Sequence, residues 1–240
     1  MSWLDLIFPK KCVNCGKWGK YVCASCEVGL WEEEQICPVC GRANRYGLKH
    51  KYCRQPYSLD GLTCLWAYEG VARKIISKAK YRFYYDMLSE LLPDAALGSA
   101  CLPRVLGSLP LDCARGGVRL RSQSGTPAPV IVPVPLHPKR EKWRGFNQAE
   151  MIGRRLAETE NLELRNLLVR VKDTGQQVGK SRQSRLANIK DAFKLQAAGH
   201  MPQAVLLVDD VWTSGATMAE CCRVLKKAGV KYVWGFVLAR

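Results

Sequence analysis

The sequence predicts an α/β chain: a mostly parallel sheet with a small, cysteine-rich N-terminal module. Three observations carry this. Seven of the twelve cysteines fall in the first 53 residues, in closely spaced pairs. Beyond them, apolar runs of strand length alternate with segments of helical periodicity, the pattern of a parallel sheet. One such run, Val205-Leu206-Leu207-Val208, is followed directly by Asp209 and Asp210 and then by a loop of small residues.

The cysteine pairs come first in the chain. Cys12 and Cys15, Cys23 and Cys26, and Cys37 and Cys40 each have the C-x-x-C spacing, and His50 with Cys53 makes a fourth pair. Two residues between ligands let the chain turn tightly, so that both face one metal while backbone N–H groups donate to the thiolates. Gly16 and Gly41 follow the second cysteine of their pairs, where the turn requires positive φ. The natural grouping is an all-cysteine site of Cys12, Cys15, Cys23 and Cys26, and a second site of Cys37, Cys40, His50 and Cys53. Four soft or borderline ligands select Zn²⁺ and leave no open position, so two structural zinc ions are expected. Sequence leaves two rivals standing: a cross-braced pairing, in which the first pair shares a metal with the third, and a single-zinc version with the second site degenerate, His50 being the weakest ligand. A disulfide framework is disfavoured in a chain without a secretion signal. Cys64, Cys101, Cys113, Cys221 and Cys222 read as buried or incidental thiols.

The module is expected to span residues 1–56, with the α/β domain at 57–240. A short N-terminal turn is expected to dock Trp3, Leu4, Ile7 and Phe8 before Pro9. A strand is read at 62–68, then a helix from Val71 to Leu92 with a break near "KYRFYYD". Residues 107–129 are rich in Gly, Ser, Pro and Arg and read as a flexible insertion. The run "VIVPVP" is a strand that must finish at its prolines, which cannot donate ladder hydrogen bonds. It opens into a loop, "LHPKREKWRGFNQ", followed by a helix over about 147–158. The stretch "LLVRVKDTGQQVGKSRQSRLANIKDAF" reads as strand, long polar loop and short helix. The strand bearing Asp209 follows, then a helix from Thr217 to Ala228 stopped by Gly229, and a last strand, "KYVWGFVLA".

No apolar run approaches the ~20 residues needed to span a bilayer. The N-terminus "MSWLDLIFPKK" carries an acid and no apolar signal core, so a cytoplasmic protein without membrane insertion is expected. The formal charge is +16, from 37 basic and 21 acidic residues. Seven bound thiolates against two dications lower it by three, to about +13. A chain this basic favours polyanions, either nucleic acid or a phosphorylated small molecule.

In open α/β sheets ligands sit at the carboxyl ends of strands, where Asp209 and Asp210 are expected. Two adjacent carboxylates there repel each other and lose hydration unless a ligand supplies donors. A vicinal ribose diol supplies two. The loop Thr213-Ser214-Gly215-Ala216-Thr217 then turns into a helix N-terminus, where converging N–H groups, hydroxyls and the helix dipole favour an anion. A diol site beside a phosphate site describes a ribose 5-phosphate.

The segment "VLLVDDVWTSGAT" resembles the phosphoribosyl pyrophosphate (PRPP) motif of type I phosphoribosyltransferases, which have a Rossmann-like, mostly parallel sheet. With "VPVPLHPKREKWRGFNQAE", "QSRLANIKDAF" and the paired cysteines of a double zinc ribbon, the chain resembles the ComF family over nearly its whole length. The resemblance implies that Asp209 and Asp210 hold the ribose hydroxyls and that Thr213 to Thr217 cradle the 5-phosphate. It implies that Leu136, His137, Pro138, Lys139 and Arg140 meet the pyrophosphate. Arg144, Gly145, Phe146, Asn147 and Gln148 carry the family's "RGFNQ" signature and are expected to line the same cleft, although Asn147 also reads as a helix cap. Residues 170–188 resemble the loop that closes over substrate, with Gln177, Arg185 and Asn188 at signature positions. Trp212 is bulkier than the residues common at its position.

Two functions follow from this resemblance. One is a PRPP- and Mg²⁺-binding protein that handles single-stranded DNA during DNA uptake and natural transformation, working with a DNA-translocating helicase. The other is an active glycosyltransferase that displaces pyrophosphate at ribose C1. The basic charge and the lack of a readable acceptor pocket favour the first, and the intact PRPP motif favours the second.

Overall fold

The computed structural model describes residues 10–31, 33–44, 46–79, 87, 128–173, 188–196 and 200–240. The expected N-terminal turn, the helix beyond residue 79 apart from Met87, the insertion up to residue 127, Cys101, Cys113, Gln177 and Arg185 lie outside the described residues.

After a four-residue helical turn, α1 (Ala24–Glu27), the chain forms β1 (Gly61–Trp66) and α2 (Gly70–Lys78). Next come β2 (Val130–Pro133), α3 (Pro138–Arg144) and α4 (Gln148–Glu160). Strands β3 (Leu168–Arg170), β4 (Phe193–Leu195) and β5 (Ala204–Val211) follow, then α5 (Ala216–Lys227) and β6 (Tyr232–Ala239). Four strands make one sheet in the order β1-β6-β5-β2, parallel at every joint. The register sets Val130 against Val205, and Val208 against Phe236. Strands β3 and β4 form a separate antiparallel pair.

Apolar runs make these strands because both faces of the sheet are covered. Successive side chains alternate between faces. Leu206, Val208, Trp234 and Phe236 pack with Ile75 and Ile76 of α2 and Ile152 and Leu156 of α4. Val205, Leu207, Val233 and Val237 pack with Met218, Cys221, Cys222 and Leu225 of α5. Three of the five extra cysteines, Cys64, Cys221 and Cys222, are thus core residues. No helix among the described residues is long and apolar enough to cross a membrane.

The structure differs from the sequence reading in two segments. Residues 138–144, read as loop, form α3. Pro138 sits in its first turn, the His137 ring accepts from the Lys139 N–H at 3.3 Å, and Gly145 ends it at φ 84°. None of its residues is buried, so it shows no apolar period. The second difference is β4: the helix expected here is present at Asn188–Ile189, but Phe193–Leu195 after it, not read as a strand, pairs with β3.

Sheet edges are exposed templates for wrong pairing unless covered. Both edges here are covered. Ile131 N–H donates to the Glu163 carbonyl at 2.8 Å, and Arg165 N–H to the Ile131 carbonyl at 2.9 Å, alongside β2. Along β1 the cover comes from the cysteine module. Glu33 N–H meets the Leu65 carbonyl at 3.2 Å, and Ala67 N–H meets the Trp31 carbonyl at 3.1 Å. Leu62 N–H meets the Gly47 carbonyl at 2.9 Å. Between these, the Gln35 side chain acts as a backbone neighbour: its Nε2 donates to the Cys64 carbonyl at 2.8 Å and its Oε1 accepts from the Cys64 N–H at 3.0 Å.

Candidate metal centres and phosphate-binding loop

The ligand atoms of Cys12, Cys15, Cys23 and Cys26 all lie within 4.8 Å of one another, as do those of Cys37, Cys40, His50 and Cys53. Neighbouring pairs therefore share a site, and the cross-braced alternative is overturned. Cys15 Sγ and Cys23 Sγ are 3.6 Å apart, against about 3.8 Å for two thiolates on a tetrahedral Zn²⁺. Cys40 Sγ lies 3.4 Å from His50 Nδ1, so His50 belongs to its set. Positive φ at Gly16 (78°) and Gly41 (73°) closes the two C-x-x-C turns as the spacing predicts. Helix α1 carries Cys26 back toward Cys23 one turn later.

The thiols behave as a metal-binding set. Burial pushes the Cys12 thiol up, but the N–H groups of Cys15, Cys23 and Asn14 outweigh it and bring it down to about 6. The Asn14 amide, 3.2 Å from Cys26 Sγ, pulls that thiol down, yet burial and the three neighbouring sulfurs carry it up to about 12. Cys37 falls to about 6 through backbone N–H groups that outweigh burial, while burial and then the sulfurs of Cys40 and Cys37 lift Cys53 to about 11. Four thiolates in one set, or three beside an imidazole in the other, cannot crowd together without a cation, and Zn²⁺ suits both sets. These are two closed, structural zinc-binding sites. Both are anchored to the α/β unit. Lys74 of α2 donates to Asn14 Oδ1 at 2.8 Å, and Asp60 accepts from Lys49, Lys226 of α5 and the Val233 N–H within 2.9 Å.

The second candidate site lies at the carboxyl end of β5. Asp209 and Asp210 are the strand's half-buried sixth and seventh residues. Asp209 Oδ1 accepts from the Asp210 N–H at 2.9 Å. Burial raises the Asp209 carboxyl well above the usual carboxylate range, and the Asp210 charge adds to it; the Asp210 N–H and Arg170 oppose the rise. The following loop is held from beneath. Trp212 N–H donates to the Ala239 carbonyl at 2.9 Å, and its indole lies where a Cβ on Gly215 would come within 2.3 Å. Gly215, at φ 73°, starts α5 without a capping side chain, and Ser214 Oγ accepts from the Ala216 N–H at 3.4 Å. The size of Trp212 is thus matched by the glycine above it. Thr213 is exposed, Ser214 and Thr217 are half-buried, and Ala216 is buried.

The exit of β2 lies beside that of β5, because Val134 N–H donates to the Val208 carbonyl at 2.8 Å. Asn147 clamps this exit. Its Nδ2 donates to the Val134 carbonyl at 3.0 Å, while its Oδ1 caps α4 through the Ala149 N–H at 3.1 Å. Gln148, buried, accepts from Arg144 at 3.2 Å. The polar groups of Asn147 are thus engaged in positioning the loop. Leu136 and His137 are half-buried, Pro138 and Lys139 are exposed on the first turn of α3, and Arg140 lies 3.9 Å from Asp173. Phe146 is half-buried, Gly145 is exposed, and so is Asn188.

Sequence reasoning missed Arg170. It is buried at the end of β3, stacks on Phe193 at 5.4 Å and faces both Arg140 and the Asp209 carboxylate. Burial lowers its pKa first and the Arg140 charge lowers it further; Asp209 and Asp173 oppose this. A charged residue closing an apolar strand was the available signal. A cavity of about 360 Å³ was also missed, lined by Ile36, Pro38 and Gly41 of the second zinc module, by Trp212, Thr213 and Ser214, and by Arg240.

The family model described as a double zinc ribbon domain matches residues 3–55. Competence protein F of Haemophilus influenzae is 40% identical over 115 residues, which cover 46% of this chain and 50% of that protein. Competence protein ComFC of Streptococcus pneumoniae is 35% identical over 110 residues, 46% of this chain and 47% of its own. The chain thus spans about half the length of each of these two relatives. DNA utilization protein YhgH of Salmonella typhi is 30% identical over 227 residues, 93% of this chain and 91% of that protein. With the ribbon ligands gathered in two sets, and a relative 30% identical over more than nine-tenths of both chains, the chain belongs to the ComF family.

Proposed function

We propose that this chain binds PRPP with Mg²⁺ at the carboxyl end of β5 and handles single-stranded DNA in uptake or utilisation, in the cytoplasm and alongside a DNA-translocating helicase. In this reading residues 1–56 are the ribbon module and 57–240 a type I phosphoribosyltransferase-like domain with an insertion at about 107–129. The observation that carries it is the Asp209–Asp210 pair, with the Asp209 carboxyl raised by burial, beside a glycine-started helix whose loop is held up by Trp212. Asp209 and Asp210 accept from the ribose diol. Thr213 to Thr217 hold the 5-phosphate with backbone and hydroxyl donors. Lys139 and Arg140, with the loop from Leu136, supply charge to the pyrophosphate, and Asn147 fixes that loop to the strand exit. Gln177, Arg185 and Asn188 belong to the closing loop. Mg²⁺ bound with PRPP would neutralise charge on the leaving pyrophosphate.

Support for DNA comes from the relatives named for competence and DNA utilization and from the formal charge of +16. Affinity for a single-stranded oligonucleotide should fall linearly in log–log form with salt, by roughly 0.7 per phosphate contact. Anisotropy titrations across salt concentrations, beside calorimetry of PRPP with and without Mg²⁺, test both halves. A salt-independent or absent DNA affinity removes the nucleic-acid role, and absent PRPP binding removes the ligand.

The cavity beside the phosphate loop favours a second reading, an active PRPP-dependent glycosyltransferase whose acceptor enters there. Isotope exchange between pyrophosphate and PRPP, with candidate acceptors, distinguishes turnover from binding.

A further inference from the structure

At the amino ends of β1 and β6, on the opposite edge of the sheet from Asp209, the second zinc module and the end of α5 share one surface. Lys49 Nζ and Lys226 Nζ both reach the Asp60 carboxylate, at 2.8 and 2.7 Å, and Lys227 Nζ lies 5.8 Å from the centre of the Tyr57 ring. Residues 46–60 add Lys51 and Arg54, both exposed, and no acid besides Asp60. Five cations thus gather around one carboxylate that two of them already hold. A zinc-loaded second set, three thiolates with one dication, offsets only one more. Like charges crowded in this way repel, and a polyanion relieves the repulsion. The aromatic groups say which polyanion. Tyr52 is 71% exposed and stacks on the His50 imidazole, with ring centres 4.9 Å apart and planes 5° from parallel. Zinc bound by His50 fixes that imidazole, so the tyrosine presents a flat face already held in place. Tyr57 has φ 61°, a left-handed conformation that strains a bulky residue, and its exposed ring lies beneath Lys227. Fixed, exposed rings beside cations suit unstacked bases on a charged backbone. An acidic polypeptide would satisfy the cations and leave the rings unused, and a duplex hides the faces of its bases.

We propose that this face is the binding site for single-stranded nucleic acid, with bases stacked on Tyr52 and Tyr57 and phosphates held by Lys51, Arg54 and Lys227. The site rests on the DNA half of the function proposed above and is independent of its PRPP half. Helix α5 runs from Ala216 in the phosphate loop to Lys227, 12 residues, or about 18 Å at 1.5 Å each. That exceeds the Debye length of about 10 Å at 0.1 M salt, so charges on this face are largely screened from the phosphate loop.

Anisotropy titrations of the zinc-loaded full chain compare a labelled single strand with an abasic strand of equal length. The parent should bind the strand with bases at least about fivefold more tightly. Tyr52→Ser with Tyr57→Asn, checked for full zinc content, should remove that preference, and asparagine accepts the left-handed backbone at 57. Tyr52→Phe keeps the ring and should keep the preference. Lys51→Gln, Arg54→Gln and Lys227→Gln together should lower the salt slope by about 2, at roughly 0.7 per phosphate contact. Lys11→Gln, Lys17→Gln and Lys20→Gln remove the same charge from the first zinc module and should lower it little. PRPP affinity, or its absence, should be the same in every variant. The proposal is overturned if the abasic strand, or polyglutamate of equal charge, binds as tightly as the strand with bases. It is also overturned if the variants of this face bind the strand like the parent; the DNA reading then stands and this site alone falls. If the parent binds no single strand, both fall.

Discussion

Replacing Asp209 by asparagine separates a carboxylate held for a ligand from one that supports the fold. The asparagine Oδ1 can still accept from the Asp210 N–H, now bonded at 2.9 Å, so the local backbone keeps its partner. What disappears is a carboxyl raised by burial and by Asp210. In the parent protein the unfolded chain ionises near pH 3.8 while the folded chain keeps its proton to higher pH. Stability therefore falls as pH rises through that window, by about 1.4 kcal/mol per pH unit for one proton, and levels off above the folded pKa. Asp209→Asn should flatten this decline and leave the ligand-free protein at least as stable as its parent at pH 7. PRPP affinity should move the other way, because a lost charge-assisted hydrogen bond costs about 1.5–3 kcal/mol, roughly ten- to hundredfold. Parent affinity should also rise with pH, since the ribose hydroxyls favour the ionised carboxylate. Urea melts from pH 5 to 8 and calorimetry in two buffers of different ionisation enthalpy, which counts protons released on binding, make the assay. A destabilised variant that binds PRPP like its parent would refute the reasoning.

Protein purified without chelator should contain two equivalents of zinc. One equivalent would point to a failure of the set containing His50, the only one with a non-cysteine ligand. Chelation should remove roughly 10–16 kcal/mol of apparent binding free energy and speed amide exchange at Leu62 and Ala67, whose N–H groups bond the zinc module. Unchanged exchange there would show that the edge of β1 stands without metal. Gly61→Ala would set a methyl 2.3 Å from the ring of Trp234, itself 1% exposed and bonded to Thr63, so a loss of about 1–3 kcal/mol is expected in thermal melts. Glu220→Ala should cost about 1–3 kcal/mol and loosen residues 189–193, because buried Glu220 accepts from the Asp191 N–H at 2.7 Å and from Arg223 at 2.6 Å. Amide exchange of that turn measures it.

Sequence carried far where one physical rule dominates and failed where several local ones compete. Strands β2, β5 and β6 were legible because a sheet covered on both faces needs unbroken apolar runs, and Pro133 and Pro135 marked where one must stop. Helices α4 and α5 were legible from their apolar faces and their stops. Helix α3 was not, because it lies on the surface with no buried residue; only its cap chemistry, His137-Pro138 before and Gly145 after, betrays it. Strand β4 has one buried residue in three, too little pattern to separate it from the short helix that precedes it.

The functional residues divide the same way. Ligand identity at the zinc sites is written in the spacing, but the partnership between pairs is a matter of distance, settled by Cys15 meeting Cys23 at 3.6 Å and by His50 meeting Cys40 at 3.4 Å. The contacts of Arg170 and Arg240 could not be read because they depend on residues far away in the chain: Arg140 and Asp209 for one, Glu33 for the other. The module itself has a task that its cysteines do not announce. Parallel sheets bury both faces, and an uncovered β1 would present free N–H and C=O groups along its outer side. Trp31, Glu33, Gln35 and Gly47, which flank the second C-x-x-C turn, meet those groups, with the Gln35 amide substituting for a missing backbone unit. A metal that fixes this turn is therefore expected to support the edge of the sheet as well. The same turn supplies Pro38 and Gly41 to the cavity beside Trp212, so the second zinc-binding turn adjoins both the edge of β1 and the loop after β5.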